Sequence, residues 1–237
     1  ACGGDGTVRA CIEGLVDSSA ALAIIPTGTG NLLANNLGTE DVADGDGSEV
    51  SALLAGGTRR IDVGRANDEV FAVMAGSGFD ALMIRDADSD LKSRFGVVAY
   101  VVSAVRNLRA TMVGTTVTVD DEVWFRGRTI MALVGNFGSI TGGIEIFPDA
   151  DPADGLLDIG VVSAEGIKDW LSIGYRLVRR LPQNPDLVRR TQGRSIEIVT
   201  SRSRPYEIDG EERPASNRLV VTVNPEALEV RVPSADS

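Results

Sequence analysis

The chain is predicted to be an α/β segment followed by a longer, β-rich antiparallel domain. Three observations predict it: two glycine-rich turns that each open a helical pattern before residue 39, a series of short β-like runs from Arg59 onward, and only two longer helical patterns among those runs.

The first turn is Gly3-Gly4-Asp5-Gly6-Thr7. Apolar residues then recur at Val8, Cys11, Ile12, Leu15 and Val16, the spacing of one helix face. A glycine turn at a helix start presents backbone N–H groups and the positive end of the helix dipole to an anion. A carboxylate beside a bound phosphate repels it unless a cation lies between them. Asp5 in such a turn therefore points to a nucleotide with Mg²⁺. The second turn, Pro26-Thr27-Gly28-Thr29-Gly30-Asn31, follows the apolar run Ala21–Ile25 and precedes a helix closed by Gly38. Thr29 and Asn31 add side-chain hydrogen-bonding groups. Both turns would lie at the carboxyl edge of a parallel sheet, where open α/β folds bind ligands; the plain alternative is two ordinary tight connections.

Residues 39–49 form an acidic, glycine-containing connection, and a short helix ends near Gly56. Strand-like runs follow at 60–63, 70–74, 115–119, 130–134, 157–162, 195–199 and 219–223, several alternating strictly as half-buried antiparallel strands do. Asp120-Asp121-Glu122 reads as a hairpin connection. Helical patterns are expected over Phe95–Leu108 and Glu165–Arg180. The second has Ser163 as N-cap and an apolar stripe of Ile167, Trp170, Leu171, Gly174, Leu177 and Val178 facing the core, with a lipid-contacting role for part of it as the alternative.

Composition narrows the chemistry. The chain has 237 residues, 43% hydrophobic and 24% charged, ordinary globular values. No apolar run approaches the ~20 residues that cross a bilayer. Cys2 and Cys11 make neither a disulfide framework nor a zinc pattern, so the cytosol is the default compartment. With no histidine, proton transfer falls to carboxylates, Lys or Tyr. A net charge of −11 argues against a nucleic-acid partner. The stretch from Ala164 to Arg204 runs the other way, with nine basic residues against four acidic ones. It is either a solvated face or a patch for an anionic lipid surface.

Two further carboxylate groups draw attention. Asp209-Gly210-Glu211 follows the β-like run Pro205–Ile208; it is either a hairpin turn with a solvated glutamate or a carboxylate base on a relaxed turn. Asp149, Asp151, Asp154 and Asp158 crowd one stretch, as either an acidic loop or the ligands of a hard cation.

The order of these motifs resembles the diacylglycerol kinase catalytic family, which includes bacterial lipid kinases and sphingosine kinases and is related to NAD kinases and phosphofructokinases. The resemblance rests on Gly3–Thr7, Pro26–Asn31, Ala75-Gly76-Ser77-Gly78-Phe79-Asp80-Ala81, Gly96–Tyr100, Gly135-Asn136, Gly142-Gly143, Pro148–Ala150, Asp154-Gly155-Leu156-Leu157-Asp158 and Asp209-Gly210-Glu211. It implies a partial Rossmann-like nucleotide-binding domain over 1–45, with 216–237 packing back on it, then a β-rich antiparallel sandwich domain over 46–215 for the lipid. It implies an ATP- and Mg²⁺-dependent kinase that phosphorylates a lipid hydroxyl, foremost diacylglycerol giving phosphatidic acid. An NAD kinase-like or sphingoid-base kinase, or a non-catalytic nucleotide- or lipid-binding module, are the alternatives.

By the same resemblance, Gly3, Gly4, Asp5, Gly6, Thr7, Gly28, Thr29 and Asn31 bind the nucleotide. Glu211 is the general base with Asp209 as its neighbour, and Asp5, the third catalytic residue, belongs to the nucleotide–Mg²⁺ site. Asp154 and the carbonyls of Asp151 and Leu156 hold a structural Mg²⁺. The expected partners are ATP and a lipid at the inner membrane face, with a homodimer as the oligomer to test for. Leu32 departs from the family, many of whose bacterial members have an aspartate there in a network near the metal. Family members also carry a strand and a phosphate-contacting turn ahead of the first glycine motif, so weak ATP binding by these 237 residues alone is expected.

Overall fold

The computed structural model describes residues 1–39, 47–78, 112–140, 144–179 and 181–233. The expected helix Phe95–Leu108 and the motif residues Phe79 to Ala81, Gly96–Tyr100 and Gly142-Gly143 lie outside them. The chain divides into two compact units. The first comprises 1–74, 135–157 and 222–237, and the second 75–134 and 158–221. The boundary expected near residue 45 therefore falls inside the first unit.

In the first unit, β1 (Cys2–Gly3) pairs in parallel with β3 (Ile25–Pro26). Helix α1 (Asp5–Leu15) follows β1 and buries Val8 and Ile12. The helix begins at Asp5, three residues before the apolar pattern, because Asp5-Gly6-Thr7 forms its first turn. The single strand expected over Ala21–Ile25 is two short ones. Of these, β2 (Ala21–Leu22) pairs in parallel with Glu229-Val230, and β3 turns to β1. Helix α2 (Leu32–Leu37) ends on Gly38 at φ +69°, a left-handed cap that suits glycine. Helix α3 (Ser48–Ala55) ends on Gly56 and takes in part of the expected connection. The strand β4 (Gly57–Ala66) forms a hairpin with β5 (Glu69–Phe71), and a short ribbon joins β10 (Ser139–Ile140) to β11 (Ile144–Glu145).

The second unit is antiparallel at every pairing whose register is known. Strands β6 (Met74–Ser77), β9 (Met131–Gly135), β12 (Leu157–Val162) and β13 (Val188–Gly193) stand in the order β13-β12-β9-β6, and β14 (Ser195–Ile208) follows β6. The long β14 pairs with β6 through Tyr206–Ile208 and with β7 (Val113–Val119) through Ile196–Thr200. A hairpin links β7 to β8 (Glu122–Thr129) through Asp120 and Asp121, both at positive φ, as a type I′ turn requires. In β7 the alternation predicted from sequence is realised: Val113, Thr115, Val117 and Val119 are buried and their neighbours half-exposed. In β12 all six residues are buried, so this strand is covered on both faces rather than half-buried. Strand β15 (Glu211–Val232) runs much further than the expected 219–223, and its residues pass from the second unit to the first at 222.

The helical pattern near 165–180 forms α4 (Ile167–Val178). Trp170 packs with Ile130, Val162 and Ala164, and Ile173 lies against them. Ile167 and Leu171, expected in this core, are instead more than half exposed. The buried wedge is centred on Trp170, Ile173 and Gly174, which leaves the neighbouring strip of the helix outside. Ser163 does not cap the helix. Its hydroxyl donates to the Arg128 carbonyl, and Gly166 is the N-cap residue.

One buried carboxylate joins the separate stretches of the first unit. The Asp62 N–H donates to the Pro152 carbonyl (2.6 Å), and its own carbonyl accepts from Asn136 Nδ2 (2.8 Å). Its carboxylate accepts from the backbone N–H of Gly155 (2.8 Å) and of Glu226 (2.7 Å). Burial pushes the Asp62 carboxyl above the ordinary carboxylate range, and the two backbone donors oppose that shift. Hydrogen bonds to a charged acceptor contribute about 1.5–3 kcal/mol each. Asp62→Ala is therefore expected to lower unfolding stability by roughly 3 kcal/mol or more, and Asp62→Asn by less, because the amide keeps one acceptor oxygen. Equal urea midpoints for Asp62→Ala and wild type would overturn this role.

Candidate functional site

The parallel pairing of β1 with β3 places the two glycine turns side by side at the carboxyl ends of both strands. The Ile25 N–H donates to Ala1 O (2.8 Å) and the Thr27 N–H to Gly3 O (3.2 Å). The turns then touch backbone to backbone. A Cβ on Gly28 would stand 2.6 Å from the Gly4 Cα, and one on Gly30 2.7 Å from a carboxylate oxygen of Asp5. Glycine is required at position 28 by the backbone of the other turn, before any ligand is considered, and at position 30 a side chain would displace the Asp5 carboxylate.

Asp5 locks the contact. One carboxylate oxygen accepts from the Asn31 N–H (2.9 Å) and the other from the Leu32 N–H (2.6 Å). These N–H groups belong to the first turn of α2, so a carboxylate from α1 caps a second helix. The repulsion that suggested a cation beside Asp5 is thus answered by two N–H donors and the dipole of α2. Leu32 contributes through its backbone, so the loss of an acidic side chain there leaves this contact intact. Asn31 sits at φ +49°, and its side chain folds back on the turn. Its Oδ1 accepts from the Gly28 N–H (3.0 Å) and its Nδ2 donates to Gly28 O (2.8 Å). Asn35 Nδ2 likewise donates to Gly30 O (2.9 Å). The asparagines hold the turn in shape; the sequence signalled this at Asn31 only as a side-chain hydrogen-bonding group beside the turn.

What remains open toward an anion is the start of α1. Gly4 is its N-cap without a side-chain cap, and the first intrahelical bond runs from Val8 N–H to Gly4 O. The N–H groups of Gly6 and Thr7 have no acceptor within the helix, and both residues are exposed, as are Gly28 and Thr29.

In the acidic stretch 149–158, the carboxylates of Asp151, Asp154 and Asp158 take separate partners. Asp151 pairs with Arg59 (2.9 Å) and also accepts from the Ala153 N–H. The Asp154 Oδ1 accepts from the Leu156 N–H (2.8 Å), and the Asp154 N–H donates to Asp151 O (3.3 Å). Asp158 belongs to the second unit, where Gln192 donates to it. Among the described residues no three acidic, cysteine or histidine side chains stand close enough to hold a cation. Asp151, Asp154 and Leu156 stand together in this loop through its own hydrogen bonds.

In the second unit, Asp209 (φ +45°) and Gly210 (φ +82°) form the type I′ turn between β14 and β15. Glu211 opens β15 half-exposed, with its carboxylate 3.2 Å from Arg213 Nη2. Asp209 is buried. Two residues earlier, in β14, lies Glu207, 1% exposed and paired in register with Gly76 of β6. Burial first, and then the Asp209 carboxylate, push its carboxyl up to about 8. Among the described residues neither oxygen of Glu207 has a hydrogen-bond partner. Sequence reasoning passed over Glu207. Its signal was the two-residue spacing from Asp209, made informative only by the burial of both faces of this end of β14, where Ile208 is also fully covered.

Two outcomes follow. Asp5→Ala should cost about 1–2 kcal/mol, the usual loss for a helix N-cap, read from urea unfolding. The Glu207 carboxyl holds its proton in the folded chain up to about 8, against an ordinary glutamate value of 4.5. Between those values the unfolded chain releases a proton that the folded chain keeps, so wild-type stability falls as pH rises through that window. Glu207→Gln removes that slope. The variant should match wild type in acid and exceed it at the top of the window by on the order of 1 kcal/mol or more. Parallel stability–pH curves for the two proteins would sink this assignment.

Comparison with known proteins agrees with this architecture. Residues 73–232 match the family model described as the YegS C-terminal NAD kinase beta sandwich-like domain, and residues 1–66 match the diacylglycerol kinase catalytic domain. The chain is 27% identical over 216 residues to a diacylglycerol kinase of Bacillus subtilis strain 168, covering 89% of this chain and 70% of that protein. It is 29% identical over 240 residues to a probable lipid kinase YegS-like of Pseudomonas putida, covering 98% and 76%. Its fold is that of a putative diacylglycerol kinase from Bacillus anthracis str. Sterne, with a TM-score of 0.77 at 24% identity over 100% of this chain and 76% of that one. With both matched regions in the order expected from its motifs, the chain belongs to the diacylglycerol kinase catalytic family.

Proposed function

We propose that the chain is an ATP-dependent lipid kinase that transfers the γ-phosphoryl group to a lipid hydroxyl, with diacylglycerol as the foremost acceptor. The observation that carries this reading is the uncapped start of α1. There, Gly4 runs backbone-close to Gly28, the Gly3 carbonyl accepts from the Thr27 N–H, and the Gly6 and Thr7 N–H groups stay available to phosphate oxygens. Asp5 and Asn31 act by holding these turns in place, so their part in nucleotide binding is to position the backbone donors.

Transfer requires the acceptor oxygen to approach the γ-phosphorus in line with the leaving oxygen of ADP. A new P–O bond forms as the bond to that bridging oxygen breaks, and the hydroxyl proton passes to a base. With no histidine in the chain, Glu211 is the assigned base. Its half-exposed carboxylate can meet an incoming hydroxyl, and Arg213 Nη2 lies 3.2 Å from it. Asp209 sets the turn that aims Glu211. Mg²⁺ would supply charge neutralisation as the nucleotide's counter-ion. The described residues do not fit a side-chain metal cage, and no step here depends on one.

Labelled ATP with diacylglycerol, sphingosine and NAD as separate acceptors tests the reading. Labelled phosphatidic acid is the expected product. Label on NAD alone would move the chain to the soluble-acceptor branch, and no label on any acceptor would favour a binding module. Glu211→Gln should lower kcat by about 10²–10⁴-fold with little change in KM. Full turnover by that variant would remove Glu211 as the base.

A further inference from the structure

Helix α4 presents three faces. Successive residues turn by about 100°, so positions four apart drift only about 40° and share a strip. Trp170, Ile173 and Gly174 lie on the packed side. Ile167, Leu171 and Tyr175, at that spacing of four, form an adjacent strip and are 51%, 56% and 59% exposed. Large apolar side chains aligned on one exposed strip differ from the scattered single hydrophobics that are normal on protein surfaces.

The third face is basic. Lys168 and Arg179 fall next on the helical wheel beyond Tyr175, and the Arg179 guanidinium lies over the Tyr175 ring, 5.9 Å from its centre. Just past the helix, the Leu181 N–H donates to Arg176 O and Arg176 Nη1 donates to Pro182 O. This fold-back keeps Leu181, itself 44% exposed, beside the helix end. The one acidic residue of the helix, Asp169, is directed to the Glu165 N–H, on the far side of the wheel from the apolar strip. The local charge opposes that of the whole. Residues 164–204 hold nine basic and four acidic residues in a chain of net charge −11.

We propose that Ile167, Leu171 and Tyr175, flanked by Lys168 and Arg179, form the face by which this chain lies on an anionic lipid bilayer. An apolar strip bordered by cationic side chains is the pattern of a helix lying in the membrane interface. The apolar side chains enter the acyl boundary, and the basic stems reach up to the headgroups. Each cation near an anionic surface contributes about 1 kcal/mol. The choice of a bilayer as occupant rests on the lipid-kinase reading above, since a lipid acceptor must be met where it resides.

Sedimentation with vesicles of phosphatidylcholine alone, and of phosphatidylcholine mixed with phosphatidylglycerol, tests the proposal. Wild type should bind the mixed vesicles and release as salt is raised. The triple variant Ile167→Ser, Leu171→Ser, Tyr175→Ser should bind at least tenfold more weakly, with an unchanged thermal transition. Lys168→Glu with Arg179→Glu should lose the preference for phosphatidylglycerol. Vesicle binding by the triple variant equal to wild type would overturn the proposal. So would a concentration-dependent dimer, seen by light scattering, that the triple variant abolishes while its vesicle binding persists. A short-chain, water-dispersed diacylglycerol assayed without vesicles separates the two readings. Turnover of it by both proteins, with equal vesicle binding, would reject this face and leave the lipid-kinase reading standing. Absence of turnover, with vesicle binding lost in the triple variant, would reject the kinase reading and keep the face.

Discussion

The first unit depends on the carboxylate of Asp62. That unit is assembled from three stretches of chain distant in sequence, and Asp62 bonds to all of them. It belongs to β4 in the first stretch, receives Asn136 and Gly155 and donates to Pro152 in the second, and receives Glu226 in the third. A fully buried carboxylate is costly to desolvate unless donors surround it. Here the donors are backbone N–H groups of a loop and a turn, which need partners of their own once they leave water. The requirement is mutual, and it keeps Gly155 at its left-handed φ of +74° next to the acidic loop.

The same device recurs at the glycine turns. Asp5 serves two N–H groups of a helix it does not belong to, and Asn31 returns both of its amide groups to Gly28. A phosphate-facing turn must hold its backbone donors in place before the ligand arrives, because ordering them on binding would offset part of the affinity. Side chains that resemble ligands in a motif can therefore be the frame of the site. The carboxylates near the β14–β15 turn divide in a comparable way. Glu211 is half-exposed and paired with Arg213, Asp209 is buried in the turn, and Glu207 is enclosed, its carboxyl pushed up to about 8 by burial. Three carboxyl groups within five residues thus have three environments, and of the three only Glu211 is open to solvent.

Helix α4 carries the same lesson in apolar residues. Its pattern is wide enough to cover about half the helix, and the core of the second unit takes only the part around Trp170. The remainder stays in contact with solvent beside Lys168 and Arg179. Amphipathic spacing identifies a helix and its apolar side, but the width of that side is shared out by whatever elements pack against it.

The sequence by itself determined the family, the α/β start, the antiparallel character of the rest, and the places of the turns. These are local properties: glycines and Asp-Gly pairs at positive φ, strict alternation in Thr115–Val119, helical spacing after Gly4. The motifs also marked the positions where a nucleotide and a base belong in the proposed reaction. Tertiary structure alone decided what each polar group does there. It split Ala21–Ile25 between two partners, because Ala21-Leu22 and Ile25-Pro26 meet different strands. It engaged Asp5 as a helix cap, dispersed the acidic run Asp149–Asp158 among Arg59, backbone donors and Gln192, and buried Glu207. Hydrogen-bond partners and desolvation come from residues remote in sequence, and a carboxylate's chemistry is set by those neighbours rather than by its own position in the chain.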